Sequence, residues 1–483
     1  MNHTKCLRTG MVWAITMGLA ALAPAELRRE SFDRDPGWDG FNNRPTAAPP
    51  AKIVQDFGHS TEDRQGRAPG AAGGVITPDG TAAYYAKPIP EKTFEDSFSA
   101  SGTLVMEKGG GNLLLGFFNH GTLNEWRTPN SVVFRINGRG DIFHVHVEYA
   151  TSRWRAGASV IGRVDREADR VHPVEVPGGG AHSWSIAYDR NGNSGNGSIR
   201  ATFDDLSTEC ALDPGHRADG AVFDRFGLLN VVKSADNPGT VWIDDVIVDG
   251  QAEDFTRDPG WEGIRNRLAY ESEEVRPRFN FGFSATNHAG GRSPGEIGGL
   301  FFRGDCRYPD KLACYGDRLD LLSLDKPLHA SGRVVLLRGV SDSTALFGFY
   351  HAEHSLRVNE SQASGTPGDF LGLCIEGPSR EGFYVYPGYR VHGDGQSSGY
   401  GNSPPRILPD GRAHDWTLDY APDPAGGDGK IIVSLDGDRV EMPLSKGHRA
   451  AGAHFNRFGF VTPWIDGNGQ RLFFDDLEYT CKQ

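Results

Sequence analysis

The sequence has little of what marks a helical protein. It contains only five methionines in 483 residues, and no long Ala/Leu/Glu/Lys stretch repeats apolar residues with a period of 3.6. Glycine and proline, in contrast, are abundant, at 64 and 29 residues. These features exclude a helical bundle and a coiled coil and favour an all-β protein rich in loops. The hydrophobic share of 38% suffices for real cores, which excludes wholesale disorder.

Basic blocks and long apolar runs are also lacking. The formal charge of −13 excludes nucleic acid as a general partner. After residue 25 no apolar run approaches the length of a membrane span, so we expect no stable membrane insertion. The chain begins with Lys5 and Arg8, an apolar run and a small-residue ending at Ala25, which predicts an export signal over residues 1–25. We therefore expect a secreted, periplasmic or cell-surface protein.

Cysteine is sparse, and its distribution suits an oxidising compartment. Beyond the export signal the chain has five cysteines, four of them in its second half. Cys306 and Cys314 are close enough in sequence to predict a disulfide that closes a small loop. A pairing of Cys374 with Cys481 is left open, and Cys210 is expected to be a buried free thiol.

The most informative feature is an internal repeat. Residues 32–44 read FDRDPGWDGFNNR and residues 255–267 read FTRDPGWEGIRNR. Residues 215–227 and 447–459, GHRADGAVFDRFG and GHRAAGAHFNRFG, share ten of thirteen positions. The repeat predicts two domains over residues 26–250 and 251–483, which we call copy one and copy two. The boundary near Asp249-Gly250 leaves almost no linker, so we expect the two domains to touch.

Within each copy, short alternating strands are separated by turn residues, as in a two-sheet antiparallel sandwich. A Gly-aromatic strand is followed by a W-x-x-x-Y strand, a hairpin and a final strand with an Asp-Asp pair. This order resembles the concanavalin-A-like jelly rolls of legume lectins, laminin-G-like domains and many glycan-cleaving enzymes. The finer signatures, such as GRGD…VEY, resemble those of a family of secreted bacterial proteins. The resemblance implies two tandem jelly-roll domains and a carbohydrate ligand, a polysaccharide or an oligosaccharide.

The two copies serve as controls for each other, because a residue kept in both is more often structural. By this criterion the four conserved tryptophans belong to the cores, and the His-Arg pairs and RFG arginines to the fold. These residues are Trp38, Trp184, Trp261, Trp416, His216, Arg217, Arg225, His448, Arg449 and Arg457. The acidic pairs Asp244-Asp245 and Asp475-Asp476 predict either hydrogen-bonded strand entries or structural calcium sites. No other cofactor is expected to be required.

Copy one contains a polar hairpin, VVFRINGRGDIFHVHVEY, over residues 132–149. Alternation of side chains places a polar set on one face of this hairpin and apolar residues on the other. With Arg135 opposite His144, the candidate catalytic residues are Arg135, His144, His146, Glu148 and Tyr149. An arginine can neutralise a uronate carboxylate while an imidazole, phenol or carboxylate removes the adjacent proton. Two alternatives stay open: a divalent metal held by His144, His146 and Glu148, and a solvated strand face without function.

Residues around the hairpin predict a sugar-binding surface, since aromatic rings stack on sugars and arginines pair with acidic groups. The candidate substrate-binding residues are Trp126, Arg127, Asn137, Trp154 and Arg155 in copy one, and Tyr384 and Tyr386 in copy two. The function most favoured is cleavage of an extracellular, acidic polysaccharide by a lyase or glycoside hydrolase in copy one, with copy two assisting binding. The alternative is a non-catalytic, lectin-like protein of the cell surface.

Overall fold

The computed structural model describes residues 25–483 except 45–49, 63–68, 108, 123–127, 166–169, 231–237, 273–277, 341, 362–364, 380–381, 394, 400–403 and 424. The predicted export signal lies outside the described residues apart from Ala25, and so do Trp126 and Arg127. Among the described residues, no helix has the length and apolar character needed to cross a bilayer.

Nearly all of the regular secondary structure that the structure describes is β-strand. The strands up to the end of copy one are β1 (Glu26–Glu30), β2 (Asp39–Phe41), β3 (Ala51–Ser60), β4 (Ala71–Ile76), β5 (Tyr84–Thr93), β6 (Phe98–Met106), β7 (Gly109–Phe118), β8 (Ser131–Gly140), β9 (Ile142–Ala150), β10 (Ala156–Val160), β11 (Gly162–Asp165), β12 (Arg170–Pro173), β13 (Val176–Pro177), β14 (Ala181–Asp189), β15 (Ser198–Phe203), β16 (Leu206–Ala211), β17 (Val222–Asn230) and β18 (Gly239–Val248). Those of copy two are β19 (Gln251–Glu253), β20 (Glu262–Ile264), β21 (Arg267–Ser272), β22 (Asn280–Ser284), β23 (Glu296–Phe302), β24 (Cys314–Ser323), β25 (Leu328–Gly339), β26 (Ser343–Tyr350), β27 (Phe370–Ser379), β28 (Gly382–Arg390), β29 (Gln396–Ser398), β30 (Ala413–Ala421), β31 (Lys430–Leu435), β32 (Asp438–Pro443), β33 (His454–Val461) and β34 (Gly469–Lys482). Two short helices, α1 (His216–Asp219) and α2 (His448–Ala451), and two 3₁₀ turns (Asn193–Gly195, Pro309–Lys311) complete the described elements.

The strands form four large antiparallel sheets that pack in pairs, which confirms the predicted all-β sandwich architecture. The first sandwich joins the sheet β16-β15-β14-β6-β18-β4-β3-β21 to the sheet β10-β9-β8-β7-β17-β5-β20. The second joins β22-β23-β34-β25-β30-β31-β32 to β2-β24-β33-β26-β27-β28-β29. Each pair of sheets encloses its own large hydrophobic cluster.

Equivalent aromatic residues fill the two cores. Trp184 stacks on Phe226, with ring centroids 6.1 Å apart, and it lies 3% exposed between the sheets of the first sandwich. In the second sandwich Trp416 is 1% exposed and meets Phe347 edge-on at 5.8 Å. The core placement expected for the repeated tryptophans is confirmed for both of these, and Trp38 and Trp261 are buried as well.

The two DPGW segments exchange partners between the sandwiches. The N-terminal segment 26–44 pairs through β1 with β34 and through β2 with β24, and Trp38 joins the core of the second sandwich. The matching segment 251–272 of copy two stays on the first sandwich, where β19, β20 and β21 pair with β18, β5 and β3. We call these two segments the arms.

Strand pairing therefore crosses the expected boundary twice. Asp249 and Gly250, which we took as the junction of two domains, form the tight turn of the β18–β19 hairpin, with φ of 47° and 79°. Positive φ at both residues is the conformation that an Asp-Gly turn between twisted strands favours. By hydrogen bonding, residues 51–272 belong to the first sandwich, and residues 26–44 and 280–483 to the second. The division of the chain into independent domains at residue 250 stays a prediction.

The predicted disulfide is not formed, because no disulfide joins any two of the five described cysteines. Cys314 begins β24 and packs in the core of the second sandwich, whereas Cys306 lies in a separate cluster with Leu312 and Trp464. The Cys306 thiol lies 3.6 Å from the carbonyl oxygen of Asn359. The two thiols thus serve different packing clusters, and the expectation of a Cys306–Cys314 bond was wrong for this structure.

Candidate functional site

The polar hairpin of copy one is formed by β8 and β9, but in a different register from the one predicted. Arg135 lies opposite His146, and Asn137 lies opposite His144. The shift is two residues from the predicted pairing of Arg135 with His144. Because side chains alternate with a period of two, this shift leaves the four polar residues on their predicted face. Arg135, His144, His146 and Glu148 therefore do share one face of the sheet.

The alternative of a solvated strand face does not fit Arg135 and Glu148, because both side chains are buried. Arg135 donates from Nε to Oε1 of Glu148 at 2.7 Å, and the two residues are only 8% and 2% exposed. His144 and His146 are partly exposed beside this ion pair. Since Arg135 and Glu148 are paired and buried together, their charges already compensate each other. Among the described residues, the donor atoms of His144, His146 and Glu148 do not lie close enough together to form a group of three metal ligands.

Tyr149 lies on the opposite face, in the core of the first sandwich, so its expected place beside the polar set was wrong. It is fully buried, and its hydroxyl accepts a hydrogen bond from the backbone N–H of Asp213 at 2.9 Å. The same hydroxyl lies 2.9 Å from Nδ1 of His216. Tyr389 and His448 repeat this contact in copy two, also at 2.9 Å. The repetition marks a fold element rather than a catalytic tyrosine.

The other described substrate-binding candidates also have structural contacts. Arg155 donates from Nε to Asp219 at 2.5 Å, and Trp154 packs against the core of the second sandwich. Tyr384 and Tyr386 are 6% and 5% exposed. The Tyr386 hydroxyl donates to Glu376, which also accepts a 2.6 Å hydrogen bond from Arg303. These two tyrosines do not offer the open aromatic surface that their sequence pattern predicted.

The acidic pairs at the final strands make local hydrogen bonds. Oδ1 of Asp244 accepts from the backbone N–H of Asp245 at 2.7 Å, and Asp475 accepts from Asp476 at 2.6 Å. Asp245 and Asp476 both have positive φ, at 49° and 47°. Both pairs lie inside their strands, β18 and β34, next to a shift in strand register, so the expected strand entry was wrong. Calcium binding at these pairs stays a prediction.

A different group of polar residues meets in copy two. His354, Asp369 and His392 form what we call the His–Asp–His cluster. Nδ1 of His354 lies 2.6 Å from Oδ2 of Asp369, and Nδ1 of His392 lies 3.0 Å from Oδ1 of the same carboxylate. The Asp369 side chain is 1% exposed, whereas those of His354 and His392 are 47% and 38% exposed. One buried carboxylate thus orients two accessible imidazoles.

Three loops of the second sandwich bring this cluster together. Asp369 immediately precedes β27 and has φ of 49°, a conformation that Asp tolerates better than most residues. His392 follows β28, and its N–H donates to the carbonyl of Gly452 at 2.8 Å. His354 lies in the turn after β26, which is closed by a 3.0 Å hydrogen bond from the N–H of Ser355 to His351.

Copy one has the same backbone contacts without the ionisable side chains. Ser152 occupies the place of His392, since its N–H donates to Gly220 at 2.8 Å as His392 does to Gly452. Asn130 precedes β8 with φ of 55°, as Asp369 precedes β27, and it donates to Thr122 at 3.0 Å. Thr122 thereby matches His354. The fold needs no imidazole and no carboxylate at these three positions.

The His–Asp–His cluster opens onto a cavity of about 630 Å³. Arg357, Glu360, Arg390 and Trp464 also line this cavity. The guanidinium carbon of Arg390 lies 4.7 Å from the centre of the Trp464 ring, a cation–π geometry. Ala150 matches Arg390 in copy one, because each follows the tyrosine that contacts the helix histidine. The cavity therefore combines two arginines with the two imidazoles.

Two further imidazoles pack behind the cluster. His351 stacks on His354 with ring centres 4.1 Å apart, and His454 meets His392 at 5.0 Å. Burial, followed by the neighbouring His354, lowers the pKa of His351 below its ordinary value. His351 is thus favoured as a neutral ring, which supports His354 without adding a second charge.

Sequence reasoning missed this cluster although its own criterion pointed to it. The comparison of the copies separates shared residues from unshared ones, and His351, His354, Asp369, Arg390 and His392 are ionisable residues that copy one replaces with uncharged ones. They were missed because they lie on separate loops with no motif spacing, whereas the hairpin histidines alternate visibly along one strand.

No protein-family model matches this sequence, and no curated protein resembles it closely enough to count as a match. Solved structures similar to the chain include domains LG4-5 of the mouse laminin α1 chain, at 11% identity and a TM-score of 0.24 over 89% of this chain and 92% of that one. An alginate lyase from Chlorella virus is 11% identical, with a TM-score of 0.27 over 42% of this chain and 89% of that one. An alginate lyase from Pseudomonas aeruginosa is 18% identical, with a TM-score of 0.22 over 33% and 66%. Likenesses of this size establish neither an activity nor a ligand for this chain.

Proposed function

We propose that this chain acts outside the cell on an acidic polysaccharide, which it binds in the copy-two cavity and cleaves by β-elimination. The observation that carries the proposal is the His–Asp–His cluster, open to a cavity lined by Arg357 and Arg390. Copy one keeps the same backbone without these side chains, so the fold alone does not explain them.

The arrangement supplies the groups that β-elimination from a uronate requires. Arg357, which is exposed, would pair with the substrate carboxylate, which makes the adjacent C5 proton more acidic. Arg390 is buried and donates to the carbonyl oxygen of Thr366 at 3.2 Å, so it supports the cavity wall. Because Nδ1 of each imidazole faces Asp369, Nδ1 is assigned the proton and Nε2 the lone pair. One neutral imidazole takes the C5 proton on Nε2, and the other, when protonated, returns a proton to the leaving oxygen. The C5–H electron pair becomes the C4=C5 double bond as the C4–O bond breaks.

Elimination suits this site better than glycoside hydrolysis. Hydrolysis usually needs two carboxyl groups, one acting as acid and the other as base or nucleophile. Oδ2 of Asp369 is hydrogen-bonded to Nδ1 of His354, Oδ1 lies 3.0 Å from Nδ1 of His392, and the side chain is buried. Asp369 is therefore placed to orient the imidazoles rather than to attack a sugar.

The test is a screen of the purified chain over acidic and neutral polysaccharides. Reducing ends report any chain cleavage, and the ultraviolet absorbance of an unsaturated uronate reports elimination. His354→Thr, Asp369→Asn and His392→Ser install the residues that copy one carries at the matching positions. Each should leave melting nearly unchanged and lower kcat by about 100-fold or more. Saturable binding with no product from any glycan would instead support the lectin-like alternative.

The hairpin of copy one provides the matched control. His144→Tyr and His146→Tyr install the residues found in copy two, and we expect both variants to retain activity. If these variants abolish cleavage while the three cluster variants retain it, the active site is the β8–β9 face and the present assignment is overturned.

A further inference from the structure

We propose that His354, Asp369 and His392 bind a divalent transition-metal ion of the zinc class. One ligand atom from each of the three side chains lies within 4.8 Å of those of the other two. Two imidazole nitrogens and one carboxylate oxygen are a common protein ligand set for zinc, with an open position for water or substrate.

The distances suit such an ion with little rearrangement. Zinc binds nitrogen and oxygen at about 2.0–2.2 Å, so tetrahedral ligands lie roughly 3.3 Å apart. The two Nδ1–carboxylate distances are 2.6 and 3.0 Å. They run to different oxygens, Oδ2 and Oδ1, so the ion would bind after both imidazoles shift towards a common position beside Asp369.

The donor chemistry selects the class of metal. Calcium and magnesium prefer oxygen ligands, and two imidazoles among three donors disfavour both. Imidazole and carboxylate together suit zinc, cobalt and related ions. Partial exposure of His354 and His392 to the cavity gives the ion a path to the buried Asp369.

The surroundings hold the ligands in position. The ring stack of His351 on His354 and the contact of His454 with His392 limit rotation of both rings. Packing around metal ligands commonly sets their orientation and their affinity. In copy one the matching residues Thr122, Asn130 and Ser152 contain no imidazole, so the metal site would be specific to copy two.

A regulatory consequence rests on the proposed function. An imidazole that binds a metal through Nδ1 carries its proton on Nε2, so it has no lone pair left to accept a substrate proton. Metal binding and proton transfer by these rings are then mutually exclusive. The metal would act as a reversible inhibitor of β-elimination.

The experiment is a titration of the purified, chelator-treated full chain with Co²⁺, followed by its visible absorption and by calorimetry. We expect one equivalent to bind with the intense bands of a low-coordinate site, and Zn²⁺ to displace it. His354→Thr, Asp369→Asn and His392→Ser should each weaken binding by about 100-fold or more. His144→Tyr and His146→Tyr serve as controls that remove imidazoles elsewhere and should leave binding unchanged.

Two results would overturn the metal site: no saturable Co²⁺ binding to the folded chain, or binding that the three cluster variants leave intact. Neither readout requires a glycan, so absence of lyase activity would not affect this test. If metal binds but added Zn²⁺ leaves cleavage unchanged, the site exists and the inhibitory role is wrong. If cleavage occurs and no metal binds, the proposed function stands alone.

Discussion

Asp39, on β2, accepts a hydrogen bond from Nη2 of Arg457 on β33 at 2.9 Å, across 418 residues of sequence. Glu262 makes the matching contact with Nε of Arg225 at 2.7 Å. The acidic residue of each DPGW arm thus pairs with the RFG arginine of the other sequence copy. These repeated arginines are fold residues, as expected, and their role is to hold the exchanged arms.

The exchange predicts which sandwich each arm stabilises. Trp38→Ala should destabilise the second sandwich by about 3–5 kcal/mol, because the ring is buried among Phe32, Tyr315 and Tyr479. Hydrogen exchange should report the loss as faster opening of β24 and β33. Trp261→Ala is the mirror variant and should open β5 and β17 instead. Loosening of the first sandwich by Trp38→Ala would contradict the exchanged pairing.

The Arg135–Glu148 pair predicts a strongly non-additive mutant cycle. Removing either partner leaves an uncompensated buried charge and should cost about 3–5 kcal/mol. Replacing both, as in Arg135→Met with Glu148→Leu, should recover most of that loss, since copy two has Cys374 and Gly388 at the matching places. Chemical denaturation of the two single variants and the double variant measures the coupling. Additive losses would show that the two residues act separately.

The tyrosine–histidine contacts predict equal effects in the two copies. Tyr149→Phe and Tyr389→Phe each remove a hydroxyl that accepts a backbone N–H, from Asp213 and Ser445 respectively. Each should destabilise its sandwich by about 1–2 kcal/mol, as expected when a buried donor loses its partner. The Tyr149→Phe variant should cleave glycan at an unchanged rate when it is assayed below its melting temperature. A selective loss of activity with unchanged stability would restore Tyr149 as a catalytic candidate.

The buried carboxyl group of Asp475 predicts that the free energy of unfolding falls as pH rises. Burial, with smaller contributions from the charges of Asp476 and Glu296, raises the pKa of Asp475 from 3.8 to about 7. The folded state therefore binds this proton more tightly, and the stabilisation is complete below about pH 4 and lost as pH rises through 7. Asp475→Asn should raise the free energy of unfolding by about 2–4 kcal/mol at pH 8 and little at pH 4.

Glu296 provides the control for that experiment, because its charge contributes to the raised pKa of Asp475. The Glu296 carboxylate also accepts the backbone N–H groups of His288 and Ala289. Copy one has Ala71 in its place and so lacks the second carboxylate. Glu296→Gln should reduce the loss of stability between pH 4 and pH 8, and an unchanged loss would mean that Glu296 contributes nothing to the shift.

The sequence was sufficient to predict the strand faces, since these depend only on alternation. Phe134, Phe143 and Val147 are buried as expected although the hairpin register was two residues off. A shift of two residues changes which side chains are neighbours and leaves their face unchanged. The burial of Arg135 and Glu148 depends on what packs over the sheet, which no local pattern reports.

The arm exchange was beyond reach for a related reason. The two DPGW arms have similar sequences. Sequence alone therefore does not decide which sandwich each arm pairs with. The deciding feature is the Asp249-Gly250 turn, which binds the second arm to β18 and leaves the second sandwich for the first arm. The His–Asp–His cluster likewise depends on three loops that only the folded sheets bring together.

The seating of the first arm on the last strand makes the molecule circular in its connectivity. Glu26 pairs with Lys482 on β34, and in the chain that arm precedes β3 of the first sandwich. A short linker from residue 483 to residue 26, with new ends opened within 45–50, would keep every strand pair described above. Such a permuted chain should fold to the same two sandwiches. The arm that completes the second sandwich would then be synthesised directly after β34, the strand with which it pairs.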